Sequence, residues 1–290
     1  FEYPRFGPGM MWERCHKLVT SQGSDVILEH PVRRIQHSNG RAVLVEANGP
    51  NGPVQYPASH VISSMPLPHL LLAMDPPIPA PVRDAANGLS FRDHLTIALV
   101  VPEEDGFPDN WIYIHAPDVQ VGRVQNFGRW SPHLVKDGRT CLGLEYFVTE
   151  GDEIWTANDE DLVAMATDEM ARLGLLRPER VESAYVVRMP RAYPMYDAHY
   201  QVNVDVMRSW LNANAINVFP VGRNWMHRYS NQDQSMRTAM LRSRPSRCFI
   251  PIIHMPGSGW IMRLVRSVKP CESTSFPAAA SGLRIWAATT

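Results

Sequence analysis

Apolar residues recur every three or four positions in residues 10–20 and 158–173, which predicts an amphipathic helix in each. The second pattern begins at Asn158 and Asp159, a typical helix start, and stops before Gly174. Shorter patterns of the same kind predict helices over residues 202–211 and 233–241.

Short apolar runs, many of them with polar residues in alternation, predict strands between these helices. The turn signal Ser38-Asn39-Gly40 joins two of the runs as a hairpin. Mixed helices and strands place the chain in the α/β class. The predicted strands cover residues 26–28, 32–35, 42–45, 54–56, 60–66, 92–101, 111–114, 141–148, 181–188 and 216–221.

Six prolines between residues 66 and 81 change the composition after the first group of predicted strands. We therefore expect the chain to cross into a second domain at Leu67.

The last stretch, residues 242–290, differs from what precedes it. It carries seven basic residues and one acidic residue, and neither helical nor strand periodicity persists in it. We interpret it as anomalous: a basic disordered tail or, the favoured alternative, a reading-frame disruption near Leu241. The chain also begins with Phe1 rather than methionine, and we expect it to be a piece of a longer protein.

Charge and cysteine usage exclude several function classes. A net charge of -1 provides no field for nucleic acid, so no nucleic-acid partner is expected. The four cysteines form no paired motif and the histidines have no metal-ligand spacing, so we predict no metal and a reducing, cytoplasmic location. The longest apolar stretch, residues 249–265, is too interrupted to span a membrane. Oligomeric state stays open.

The segment 219–236 carries the strongest functional pattern. An apolar run ends in Gly222 and Arg223, and a predicted helix begins near Asp233. A strand-end glycine lets a ligand approach the backbone closely, and a helix start offers amide hydrogens and a positive dipole end. This combination suits an anionic or electron-rich ligand.

Three blocks in order along the chain resemble the flavin-dependent amine-oxidase and protoporphyrinogen-oxidase superfamily, particularly the branch close to UDP-galactopyranose mutases. The blocks are the loop and helix from Tyr3 to Trp12 with the strands that follow, the segment Arg191-Ala192-Tyr193-Pro194-Met195-Tyr196-Asp197, and Val221-Gly222-Arg223 through Asp233. The resemblance covers roughly residues 1–241, and the specific motifs occupy about a quarter of it.

The resemblance implies a partial, discontinuous FAD-binding Rossmann-like domain with an inserted mixed-sheet substrate domain of the α+β kind. It also implies that the chain returns to the first domain at Ile216, so the predicted domains are residues 1–67, 68–215 and 216–241. It implies that Val32 faces the adenine end of FAD and that Gly222 and Arg223 lie against the pyrophosphate and ribityl chain. Asn231, Gln232 and Asp233 would face the pyrimidine edge of the flavin. The implied substrate-binding residues are Arg5, Arg188, Tyr193 and Tyr196.

One motif of that superfamily is absent from this sequence. No stretch has the G-x-G-x-x-G pattern that cradles the FAD pyrophosphate, and we expect it to precede Phe1 in a longer protein. No nucleophile or acid–base pair is evident, so the catalytic residues stay unknown and the flavin would carry the chemistry.

The resemblance therefore implies an enzyme, an FAD-dependent oxidoreductase that removes a hydride equivalent from a small organic substrate. One alternative is a flavin-dependent isomerase like UDP-galactopyranose mutase. Another is a truncated product without catalytic function.

Overall fold

The computed structural model of the protein describes residues 2–243, 252–253 and 260–263. Contacts divide the chain into two compact units. The insert unit consists of Phe1–Glu13 and Phe91–Tyr193, and the main unit of Arg14–Ser90 and Pro194–Thr290. The boundaries between the compact units include Ser90 and Tyr193. The functional domain boundaries expected at Leu67 and Ile216 stay predictions.

The first ninety residues form one helix, then five consecutive strands, and then two short helices with a strand between them. They are α1 Gly9–Ser21, β1 Asp25–Leu28, β2 Val32–Ser38, β3 Arg41–Gly49, β4 Gly52–Pro57, β5 Val61–Ser63, α2 Leu67–Leu72, β6 Met74–Asp75 and α3 Ala80–Asn87.

The following segment, up to Pro194, is dominated by strands. It contains β7 Phe91–Pro102, β8 Trp111–Tyr113, β9 Arg123–Asn126, α4 Phe127–Trp130, β10 Arg139–Val148, α5 Glu153–Thr156, α6 Asp159–Arg172 and β11 Ser183–Pro194, with short 3-10 turns at Glu103–Asp105, Pro132–Leu134 and Pro178–Arg180. The remaining elements are α7 Tyr200–Asn214, β12 Val218–Pro220, α8 Arg223–Met226, α9 Gln232–Ser243, β13 Ile252–Ile253 and β14 Trp260–Arg263.

The main unit is layered around two sheets. One has the strand order β1-β14-β13-β5-β12 and the other the order β4-β3-β2-β6. In the first sheet β12 runs parallel to β5, with Val218 beside Val61 and Phe219 beside Ile62. Because neighbouring side chains of a strand point to opposite faces, Val61 and Ile62 enter different cores. Ile62 packs in a small core with residues of α1 and α9, and Val61 joins the larger core between the two sheets and α2, α3 and α7.

Asn217 fixes the position of β12 relative to the second sheet of the main unit. Its side chain is buried, its Oδ1 accepts the Ala42 amide at 2.7 Å, and its Nδ2 donates to the carbonyls of Ala42 and Ser59 at 2.8 and 2.7 Å. Three satisfied hydrogen bonds hold the residue just before the strand that leads to Gly222.

The insert unit has a five-stranded sheet in the order β11-β7-β10-β9-β8. Along β10, Leu142, Leu144 and Tyr146 face a core that includes Leu162 and Met170 of α6. The intervening positions point to the other face of the sheet. Glu145 is one of these positions, and its exposure is nevertheless only 1%.

The predicted α/β class is confirmed, and the predicted helices and most predicted strands are present within a few residues. Asn158 caps α6 by accepting the Asp161 amide at 2.9 Å, and Gly174 has φ +69 beyond its end. The strand β9 was not predicted. The proline-rich stretch after Leu67 forms α2 and α3, because proline fits the first turn of a helix.

The predicted anomalous stretch 242–290 lies mostly outside the described residues. Within it α9 continues to Ser243, and the short strands β13 and β14 extend the first sheet of the main unit by pairing with β5 and β1. Among the residues that the structure describes, no helix has the length and apolar character needed to cross a membrane.

Candidate functional site

The turn after β12 places Gly222 in a backbone conformation that side chains rarely adopt. Gly222 has φ +81 and ψ 179, a conformation that is essentially restricted to glycine. A Cβ atom placed there would meet no heavy atom of the described chain within 4 Å. The Gly222 amide donates to the Thr238 hydroxyl at 2.8 Å, which ties the strand end to α9. Gly222 is buried, but the strand end has room for another group beside its Cα.

Helix α9 begins at Gln232, one residue before the predicted start at Asp233. The Asn231 amide donates to the Gln234 side chain at 3.1 Å, and the Ser235 amide donates to the Asn231 carbonyl at 3.0 Å. A side chain in the first turn thus satisfies the amide just before the helix, as in a capping box. Asp233 lies in the same turn, where its negative charge interacts favourably with the positive end of the helix dipole.

Tyr229 contacts three of the predicted site residues within the main unit. The guanidinium of Arg223 lies 5.7 Å from the centre of the Tyr229 ring. The Tyr229 amide donates to the Tyr196 hydroxyl at 2.6 Å, and its own hydroxyl donates to Asn231 Oδ1 at 3.2 Å. Gly222 precedes Arg223 directly. Sequence reasoning did not assign Tyr229 a role, although it lies inside the segment that carried the signal.

His227 is a buried residue that packs against the same region. It is fully buried with φ 45, its Nε2 lies 2.8 Å from the Met195 carbonyl, and its ring contacts Tyr196 and Tyr200. Burial lowers the pKa of His227, although the Met195 carbonyl and the charge of Asp197 act in the opposite direction. The histidine therefore links the segments around residues 195–200 and 222–231.

Val32 is the first residue of β2 and is far in sequence from the turn at Gly222. Its side chain is buried in the main core and it pairs with Ala47 of β3. Beyond it, Arg34 bonds to Glu46 at 3.1 Å and to Asp75 at 3.2 Å. The expected contact between Val32 and the adenine of FAD stays a prediction.

The other predicted substrate residues lie in the insert unit and do not form one cluster there. Arg5 is exposed, and its carbonyl accepts the Ser131 hydroxyl at 2.7 Å. Arg188 donates to the carbonyls of Trp155 and Ala157 at 3.1 and 2.6 Å and to Asp159 at 2.7 Å. The Arg188 guanidinium thus holds the connection between α5 and α6. Tyr193 packs against other aromatic rings, as described next, and substrate binding by all these residues stays a prediction.

A network that sequence reasoning missed lies on the face of the insert sheet opposite α6. We call it the polar face, and it is formed by His94, Tyr113, Arg123, Gln125 and Glu145. The register places Glu145 beside Arg123, and Arg123 beside Tyr113. Aromatic rings flank this network at His94. The centre of the His94 ring lies 6.1 Å from the centre of the Tyr193 ring and 5.7 Å from that of Phe147.

Glu145 is the centre of this network. Its Oε2 accepts His94 Nε2 at 3.1 Å and Arg123 Nε at 2.9 Å, and its Oε1 accepts the Gln125 amide. Burial acts to raise the pKa of Glu145, but the hydrogen bonds from His94, Arg123 and Gln125 and the charge of Arg123 outweigh it, and the pKa is lowered. The carboxylate is therefore ionised in the folded protein at neutral pH.

The polar face is open to solvent at its edges. The side chains of Arg123 and His94 are 25% and 17% exposed, and Tyr113 is 60% exposed. Trp111 stacks on Trp130 at 5.1 Å beside it. A buried carboxylate with reachable hydrogen-bonding partners is a candidate site for a small polar ligand. The only sequence signal was a glutamate within an apolar strand.

Solved structures with related folds agree with this architecture. A reduced UDP-galactopyranose mutase matches with a TM-score of 0.60 at 20% identity, over 74% of this chain and 46% of its own. A putrescine oxidase bound to putrescine matches with a TM-score of 0.60 at 19% identity, over 82% of this chain and 52% of its own. A protein assigned as a protoporphyrinogen oxidase from Exiguobacterium sp. 255-15 matches with a TM-score of 0.57 at 15% identity. The match covers 76% of this chain and 47% of the other.

These likenesses establish the fold, and the chain spans about half the length of each of the matched structures. No curated protein sequence matches it. A family model for flavin containing amine oxidoreductases matches residues 4–235, which include the helix α1, the polar face and the turn at Gly222. By this match the chain belongs to the flavin containing amine oxidoreductase family.

Proposed function

We propose that this protein is an FAD-dependent oxidoreductase that removes a hydride equivalent from a small organic substrate. The family implies a flavin cofactor. The observation that carries the proposal is the turn at Gly222, where a strand end with space beside its Cα and the start of α9 lie in one segment tied by the Thr238 hydroxyl.

The residues of this turn fit a flavin nucleotide. Apart from its chain neighbours, no atom of the described chain lies within 4 Å of a Cβ placed at Gly222, so the position leaves space for an atom of a ligand beside the backbone. The Oδ1 of Asn224 is buried without a hydrogen-bond partner among the described residues. A buried acceptor of this kind is costly unless a ligand or water donates to it. Arg223 adds a positive charge beside the same turn.

When bound, a flavin would supply the acceptor for the hydride. The chain's own residues would hold and polarise it. Gly222 and Arg223 would lie along its phosphate and ribityl portion, and Asn231, Gln232 and Asp233 would present the positive end of α9, which stabilises negative charge. Val32 would meet the adenine, and Arg5, Arg188, Tyr193 and Tyr196 would contact the substrate.

Titration of the 290-residue chain with FAD tests the cofactor assignment. We expect the flavin fluorescence to change on binding, and Gly222→Ala to weaken binding because its methyl group enters the space above the turn. The variant also forces a non-glycine residue to φ +81, at a cost of about 1–3 kcal/mol.

Gly23→Ala is the matched control, because Gly23 also has φ +81 and open space around a Cβ. It should lose similar stability and keep its FAD affinity. Equal affinity of Gly222→Ala and wild type for FAD would contradict the assignment of this turn. No FAD binding by the chain or by a longer protein containing it would favour a product without catalytic function.

Turnover assays then separate redox chemistry from isomerisation. The matched putrescine oxidase and UDP-galactopyranose mutase have the same TM-score, so the fold does not choose between them. Peroxide release with amines or porphyrinogens is the expected outcome. Conversion of a UDP-sugar with reduced flavin, without net oxidation, would replace the oxidase by the isomerase.

A further inference from the structure

Arg33 and Arg34 are consecutive residues of β2 whose side chains reach the same carboxylate. The pairing of β2 with β3 shifts between Val32 and Arg34, so that Arg33 is an extra residue in the strand. A bulge of this kind re-aims a side chain. Both arginines donate to Glu46 of β3, Arg33 through Nε to Oε1 and Arg34 through Nη2 to Oε2 at 3.1 Å.

Glu46 is the buried centre of this group. Its two neighbours in β3 face the main core, so its own side chain lies on the opposite face of the sheet, under the arginines. Gln55 of β4 also donates to Oε2, at 3.2 Å. Hydrogen bonds from Gln55 and from the two arginines lower the pKa of Glu46, although burial acts to raise it. The carboxylate is therefore ionised at neutral pH.

Arg34 has one nitrogen that the described protein leaves without an acceptor. Its Nη1 donates to Asp75 at 3.2 Å and its Nη2 to Glu46, whereas its Nε is buried and makes no hydrogen bond with the described residues. Two neighbouring nitrogens of a guanidinium commonly share the two oxygens of one carboxylate. Arg33 occupies Oε1 of Glu46, the oxygen that would complete such a pair for Arg34.

The Arg33 side chain is the more accessible of the two. It is 48% exposed, and its two terminal nitrogens make no hydrogen bond with the described residues. When Arg33 turns outward, Oε1 becomes available to Arg34 Nε. Glu46 then keeps three hydrogen bonds, two from Arg34 and one from Gln55, and the buried Nε gains the acceptor that it lacks.

We propose that Arg33 is an exchangeable arginine that binds a phosphate group, and that Arg34 Nε replaces it on Glu46 when it does so. The inference does not rest on the proposed flavin function. A ligand that draws Arg33 away from an ionised carboxylate needs more negative charge than that carboxylate has. A phosphate group meets this need, because its second ionisation lies near neutral pH and its oxygens match the guanidinium.

Calorimetric titration of the intact chain with inorganic phosphate, at an ionic strength held constant with chloride, tests the binding. We expect Arg33→Gln to weaken phosphate binding by about 10-fold or more, because a charge-assisted contact is lost. Acetate, with a single charge, should bind more weakly than phosphate. An absence of phosphate binding by the wild type, or an undiminished affinity of Arg33→Gln, would overturn the proposal.

Arg41→Gln is the matched control. Arg41 is also an exposed arginine of this sheet, but among the described residues its guanidinium donates to the neutral Ser59 carbonyl, at 3.4 Å. The variant loses the same charge and should keep the wild-type affinity, so an equal loss in both variants would refute a specific role of Arg33. Arg33→Lys keeps the charge without the guanidinium, and we expect an intermediate affinity. It provides the second variant if Arg33→Gln does not fold.

Titration with ADP distinguishes a free phosphate from the phosphate of a nucleotide. Equal affinities for inorganic phosphate and ADP mean that the phosphate group alone is recognised. Tighter binding of ADP that is lost in Arg33→Gln identifies a nucleotide as the ligand. ADP binding that Arg33→Gln leaves unchanged, without binding of inorganic phosphate, would overturn the assignment of Arg33.

NMR of the nitrogen-15-labelled arginine Nε–H groups tests the exchange itself, with Arg33→Gln and Arg34→Gln assigning the two signals. We expect saturating phosphate to move the Arg34 Nε–H proton resonance downfield, because this group gains a charged acceptor. Arg33→Gln should show the same downfield shift without phosphate. An Arg34 signal that stays unchanged in both experiments would contradict the exchange on Glu46.

Discussion

The insert unit buries two glutamates in opposite ways. Glu169 of α6 is 2% exposed, and its carboxylate accepts the backbone amides of Gln120 and Val121 at 2.7 and 3.2 Å and the Tyr146 hydroxyl at 2.9 Å. Glu145, 1% exposed, is held by three side chains, and two of them reach solvent.

Burial alone therefore does not distinguish a structural charge from a functional one, but the partners do. Backbone amides cannot turn away, so Glu169 belongs to the core, and burial together with its charge raises the pKa of Tyr146. Side chains of the polar face can exchange their partner for a ligand or water, so we place Glu145 in the candidate site.

Removing Glu169 should have the largest effect. Glu169→Ala leaves two amides and the Tyr146 hydroxyl without an acceptor in the core, and we expect a loss of about 3 kcal/mol or more in the free energy of unfolding. Urea denaturation measures it. Asp168→Ala is the control, since the side chain of this neighbour is 67% exposed and, among the described residues, pairs only with Arg172. It should change stability by at most about 0.5 kcal/mol.

Removing Glu145 should cost less. Glu145→Ala frees the partly exposed Arg123 and His94 to turn toward water, so we expect a loss of about 1–2 kcal/mol in the same measurement. A loss as large as that of Glu169→Ala would mean that both glutamates are structural and would remove the distinction between the two faces.

The smallest effect is on the pH dependence of stability. The pKa of Glu145 is lowered in the folded protein, so its contribution to stability is complete above the pKa of the unfolded chain, 4.5. It is lost as the pH falls through the lower folded value. Glu145→Gln should therefore show a shallower decline in unfolding free energy than wild type below about pH 4.5. Parallel declines would contradict the lowered pKa.

The local elements of the fold could be predicted from sequence. Apolar spacing and the Asn158 cap determine α6, and the turn at Asn39 and Gly40 sets the hairpin of β2 and β3. The strand β9 was missed because it has only four residues, of which only Val124 is apolar, so its position depends on pairing with β10.

The candidate site was predicted only where it is contiguous in sequence. The residues from Gly222 to Asp233 form one segment, so a glycine and a helix start could identify it. The polar face brings His94, Arg123 and Glu145 together from three strands across dozens of residues. Periodicity within a strand carries no information on such pairing, and Glu145 looked like an isolated charge in an apolar run.

The bond between the Gly222 amide and the Thr238 hydroxyl closes the connecting segment into a ring. Insertions or deletions between Gly222 and Thr238 would change the length of this closed loop and break the hydrogen bond between the strand end and α9. Diversification of this protein among its kin should consequently proceed here by exchange of side chains, while changes of length accumulate in the turns between the other strands.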